Sequence, residues 1–193
     1  MKSIYIVLVT LLLAGCATQY TFDGKIYSGK DNFLVGTRQI VDEAVESIQP
    51  LQTTLAAKNL IFALPNASTM RSNELQFYQK RHQKELDPAH YEILDTILSS
   101  HRIQFEGMAK AIERRKIYQS VKYITIDSVG SIPEPSADTD VLYLLFANGN
   151  PAQWYYISKK SGQQVFAFDK AVNNQKEGMK SFVDAAQAYA LRD

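Results

Sequence analysis

Few side chains in this chain are equipped for chemistry, and their spacing limits what they can do. The only cysteine is Cys16, and the histidines are His82, His90 and His101. His90 and His101 are eleven residues apart on one expected helix, so they share a face but sit about 16 Å apart along its axis, too far to hold one metal ion. His82 approaches His90 only across the Asp87-Pro88 turn, and neither HExxH nor CxxC occurs, so no metal site is expected. Serine nucleophile motifs (GxSxG, SxxK) and phosphate-cradling glycine loops are absent as well. Asp127, Asp138 and Asp140 flank one long loop. An acid pair or a calcium site is the chemistry open to them, while the commoner role of loop-end carboxylates is as caps and turn formers. No catalytic residue and no cofactor is assigned.

Cys16 stands where a hydrophobic run stops. Lys2 gives a positive start, Ile4 to Leu13 is almost wholly apolar, and small residues precede the cysteine in Leu13-Ala14-Gly15-Cys16. That is the layout of a secretory signal peptide. About a dozen apolar residues fall short of the roughly 20 a membrane-spanning helix needs. The four-residue stretch resembles the lipobox of bacterial lipoproteins. The resemblance covers only the first 16 residues or so. It implies that residues 1–15 are removed, that the Cys16 thiolate takes a diacylglycerol, and that further acylation makes anchoring stable. Ala17, in place of Asp, implies by the enterobacterial sorting rule of that family the outer membrane, facing the periplasm.

With Cys16 lipidated, no thiol remains for a disulfide, and the fold rests on its hydrophobic core. Lys and Arg number 21 against 20 Asp and Glu, so losing Lys2 leaves no formal net charge. Nothing in that balance favours nucleic acid. "ERRK", Glu113 to Lys116, reads as a basic helix end opposing the helix dipole rather than a recognition patch.

The elements that position these residues form an α+β domain over residues 37–193, preceded by a lipidated tether over 16–36. Tyr20, Phe22, Tyr27 and Phe33 are the tether residues able to pack on the domain instead. Val35, Ile40, Val41, Ala44, Val45 and Ile48 recur at helical spacing. Asn59 to Asn66 reads as a buried strand. A helix with Ser68 or Thr69 as cap follows, its stripe Leu75, Tyr78, His82 and Leu86, and Asp87-Pro88 ends it and starts another. That long helix carries Leu94, Leu98, His101, Phe105, Met108 and Ile112 on one face. Residues 121–126, 140–146, 153–158 and 163–168 read as strands, the last three as an antiparallel meander with "ANGNP" and "KKSG" as turns. Ser128 to Thr139 is an unusually long loop, and Val172 through Tyr189 outline a final amphipathic helix. The expected architecture is α+β, an antiparallel meander with amphipathic helices packed on the sheet.

The aromatic concentration in that sheet is the clearest functional clue. Trp154, Tyr155 and Tyr156, with Ile132 and Glu134 of the long loop, are the candidate protein-binding residues if one sheet face stays uncovered; the alternative is that helices cover both faces or that the aromatics complete the core. The function expected is that of a lipid-anchored cell-envelope accessory factor binding a protein partner without catalysis. Assembly of secretion or surface machines, regulation of peptidoglycan enzymes and toxin immunity are the roles open to it. The alternatives are an envelope hydrolase using paired carboxylates on peptidoglycan or glycan, and a periplasmic carrier of lipid or a small molecule.

Overall fold

A computed structural model of the protein describes residues 18–146, 153–169 and 174–192. Cys16 with the run before it, the "ANGNP" turn and Val172 lie outside the described residues. The element order is β1 (Gln19–Phe22), β2 (Lys25–Ser28), α1 (Lys30–Glu46), β3 (Asn59–Pro65), α2 (Ala67–His82), α3 (Tyr91–Arg115), β4 (Ser120–Ile126), β5 (Thr139–Phe146), β6 (Gln153–Ser158), β7 (Gln164–Asp169) and α4 (Gln175–Ala190). The class is α+β.

Five strands form a mixed sheet in the order β4-β3-β5-β6-β7. The expected meander is present, with β5, β6 and β7 antiparallel. Beyond it, β3 is an interior strand and runs parallel to both β4 and β5, which the expectation of a meander did not contain. The residues of β3 explain its place: Leu60, Phe62, Ala63 and Leu64 are all buried, because helices cover one face and a loop the other. Apolar side chains on both faces are the mark of an interior parallel strand.

Helices α1, α3 and α4 lie parallel to one another on a single face of the sheet. Lys30 pairs with Glu92 at the start of α1 and α3, and Lys110 with Asp42 further along. A Cβ on Gly107 would fall 2.2 Å from Val41 Cγ1, so the glycine lets α1 and α3 approach side chain to backbone. Near the C-terminal end of α3, Arg115 donates to Gln187 of α4. Leu60, Phe62, Leu142, Leu144, Trp154, Tyr156 and Phe168 of the sheet fill the space beneath these helices with Phe105, Met108, Ile112 and Phe182. Each fully buried large side chain contributes about 1.5–3 kcal/mol.

The expected tether is largely structured. Residues 19–28 form the β1–β2 hairpin, turned at Asp23 and Gly24 in left-handed conformations. Tyr20 stacks on Phe33 with ring centroids 4.8 Å apart, and Phe22 and Tyr27 meet the same ring edge-on. Helix α1 therefore starts at Lys30, and Phe33, Thr37, Ile40, Val41 and Ala44 make its buried stripe, while Val35 is 69% exposed.

Helix α2 departs from expectation in two ways. Its cap is Asn66, whose side chain accepts from Thr69 N at 2.7 Å, and not Ser68 or Thr69. Its expected stripe stays half-buried or exposed, and Met70 is its one buried residue. Pro88–His90 forms a short 3-10 turn before α3, which begins at Tyr91. The α3 stripe from Leu98 to Ile112 is buried as its spacing implies. No helix among the described residues is long and apolar enough to cross a membrane.

Candidate functional site

Alternation along β6 sends Trp154, Tyr156 and Ser158 under the helices and Tyr155 and Ile157 to the opposite face. Trp154 and Tyr156 are 0% exposed, so neither can contribute to a contact surface, contrary to expectation. Trp154 meets Phe105 edge to face at 5.2 Å and His101 at 5.8 Å. Tyr156 stacks on Phe62 at 5.0 Å, and its hydroxyl donates to Met108 Sδ at 2.9 Å. Burial pushes the Tyr156 phenol well above its ordinary pKa. The contacts to these rings come from α3 and α4, and the sequence could not tell which sheet face those helices would choose.

The opposite face carries none of these three helices, and α2 borders it at the C-terminal strand ends. Its rows follow from the register: Ile61 and Ala63 of β3, Ile124 and Ile126 of β4, Val141, Tyr143 and Leu145 of β5, Tyr155 and Ile157 of β6. One segment crosses it. Strand β4 ends where β5 must not begin, since a parallel pair requires the chain to return to the other end of the sheet. Residues 127–138 make that return over β3, with a 3-10 turn at Val129–Ser131 and no longer helix. Ile132 fastens this strap: it is 4% exposed and packs with Ala63, Ile126 and Val141, bordered by Ile61, Ile124 and Tyr143. A third expected contact residue, Ile132, is therefore a buried peg rather than part of a contact surface. Glu134 stays on the surface, paired with Lys159 at 3.2 Å. Beyond the strap lie half-buried Tyr143 and Tyr155 and the 40% exposed Leu145, which together with Val129, 53% exposed, make an apolar surface at the strap's edge. Tyr155 thus lies on the helix-free face, and Tyr143 and Leu145, outside the candidate set, stand beside it as the alternation in "DVLYLLF" places them.

The three aspartates do not converge. Asp127 stands at the C-terminal end of β4, bonded to the Asn66 amide, while Thr69 Oγ1 donates to its carbonyl at 3.0 Å. Asp138 and Asp140 belong to the other end of the sheet, about 20 Å away along a strand of this length. Asp140 is 8% exposed and accepts from Tyr118 at 3.3 Å, with Lys58 Nζ 3.7 Å from its other oxygen. Burial first, then the charge of Asp140, holds the Tyr118 phenol far above its ordinary pKa. Ser158 and Tyr189 share a 2.6 Å hydrogen bond nearby. These groups satisfy one another and tie the end of α4 to the sheet.

Two concavities accompany the sheet face. A groove of about 760 Å³ runs between α1 and α3, floored by Leu34, Val35 and Ile103. Its rim charges are largely engaged with neighbours: Arg102 with Glu106, Asp42 with Lys110, Glu43 with Gln39. A crevice of about 320 Å³ lies where α2 crosses the C-terminal strand ends, between Thr69, Phe77 and Lys80 on one side and Ile126, Val129 and Leu145 on the other.

His101 is packed on Phe105 and Trp154, and His82 lies exposed against Tyr78. No group of three metal-ligating side chains occurs among the described residues. In "ERRK", Arg114 donates to Ile48 O and Arg115 to Gln49 O, joining the end of α3 to the segment after α1. No protein-family model, curated protein or solved structure matches the chain.

Proposed function

We propose that this is a lipid-anchored envelope protein that binds another protein of the envelope through the helix-free face of its sheet and performs no catalysis itself. The carrying observation is that α1, α3 and α4 occupy one face, while Tyr143, Leu145 and Tyr155 stand on the other. Tyrosine supplies large contact area with little rotamer entropy to lose, and partly exposed aromatic and aliphatic groups together are the composition of binding hot spots. The anchor follows from the resemblance at Leu13-Ala14-Gly15-Cys16 and assigns the outer membrane, periplasmic side. Anchoring raises the effective concentration of the domain toward partners in the same layer.

A carrier needs an apolar cavity beneath the sheet, and that space holds Trp154, Tyr156, Phe62, Phe105 and Phe182 in mutual ring contact. A hydrolase needs two carboxylates about 5–9.5 Å apart in a cleft, whereas Asp127 stands at the opposite sheet end and Asp140 is buried and engaged by Tyr118 and Lys58. The test is replacement of Leu145 by Asp with Tyr155 by Ala, read as loss of site-specific crosslinking to the partner in a variant that still melts cooperatively.

A further inference from the structure

We infer that the hairpin end of the domain rests directly on the bilayer, with the sheet standing upright and its helix-free face turned sideways along the membrane. The inference rests on the anchor reading and goes beyond it by fixing which surface meets lipid. Thr18 is tied down: its carbonyl accepts from Gly29 N at 2.8 Å, and Gly29 caps the start of α1. Cys16 precedes Thr18 by two residues. A fully extended chain spans at most about 3.6 Å per residue, so an acylated Cys16 stands within about 7 Å of Thr18. No orientation that lifts the hairpin off the headgroups is compatible with that reach.

The same end gathers the starts of all three packed helices. Lys30 pairs with Glu92 there, and Asp23 of the hairpin accepts from Gln175 N at the start of α4. The cross-strand pair Thr21 and Ile26 lies on the side of the hairpin opposite Tyr20 and Tyr27, and Ile26 is 69% exposed, an apolar side chain suited to the headgroup boundary. Lys25 and Lys30 are offset by Asp23, Asp31 and Glu92, so tether length and the apolar contact carry the apposition rather than net charge. At the far end, the turn between β6 and β7 is separated from the bilayer by the length of the strands, about 20 Å at 3.3 Å per residue.

The test uses the full acylated chain reconstituted in vesicles of phosphatidylethanolamine and phosphatidylglycerol. Ser28→Cys and Lys160→Cys, both exposed positions, each carry one spin label, Cys16 being blocked by lipid. Collision with a lipid-bound nickel chelate should be several-fold more frequent at 28 than at 160. A flexible Gly-Ser insertion after Ala17 should bring position 28 down toward the value at 160. Equal collision at 28 and 160 in protein whose mass shows acylated Cys16 overturns the upright orientation alone. Absence of the acyl mass overturns the anchor reading and the orientation with it.

Discussion

Trp154 of β6 and Phe105 of α3 meet edge to face with ring centroids 5.2 Å apart, closing the interface between the sheet and α3. Aromatic pairs of this geometry add about 0.5–1.5 kcal/mol beyond their burial. Trp154→Ala and Tyr156→Ala should each destabilise the domain by about 3–5 kcal/mol in denaturant melts. Tyr156→Phe, which keeps the ring and loses only the contact to Met108, should cost about 1 kcal/mol. Near-neutral melts for both alanine variants would remove these residues from the core.

The sequence made the elements legible and left their covering undetermined. Alternation in "QWYYIS" separates Trp154 and Tyr156 from Tyr155, yet it carries no label for which set meets the helices. Strand β3 shows the same limit: its uninterrupted run of apolar residues marks an interior strand, but its parallel partners β4 and β5 start 61 and 80 residues after it. Such pairing is settled by tertiary packing rather than by any local turn. The hairpin was hidden because Asp23-Gly24 joins strands of four residues, too short for period-two alternation to stand out, and its aromatic residues find their partner only when Phe33 is on α1.

Gly107 should resist substitution although it lies inside a helix, where alanine is ordinarily better by about 1 kcal/mol. Gly107→Ala places a methyl 2.2 Å from Val41 Cγ1, and a net loss of about 1–3 kcal/mol is expected. Adding Val41→Ala should recover part of that loss in the double variant, a coupling that a cycle of thermal melts measures.

Stability should fall in alkali. Both Tyr118 and Tyr156 are held protonated above the ordinary value of 10.0, chiefly by burial. The folded state therefore keeps protons that the unfolded chain releases. The stabilisation is complete below the unfolded pKa, about 10, and is lost progressively as pH rises above it toward the folded values. Each tyrosine contributes a slope of up to about 1.4 kcal/mol per pH unit. Tyr118→Phe with Tyr156→Phe should flatten the decline in urea midpoints above pH 10, and an unchanged slope would count against this origin.

Ile132→Ala should loosen the strap without unfolding the domain, because Ile132 is the strap's buried peg over Ala63 and Val141. Amide exchange should rise over residues 128–138 and stay slow in α3. Its salt-bridged neighbour is a weaker fastening: Glu134→Gln should change stability by no more than about 1 kcal/mol, as for an exposed ion pair. Uniformly faster exchange in the Ile132 variant would instead make the strap part of the global folding unit.

The central claim is that the helix-free sheet face receives a protein partner, and site-specific photocrosslinking in cells tests it most directly. A photoreactive residue at Leu145 or Tyr155 should give one adduct of the same discrete mass at both positions, while Lys160, at the turn between β6 and β7, should give none. Adducts of equal yield at all three positions, or none at 145 and 155 with the protein folded and anchored, would contradict the assignment.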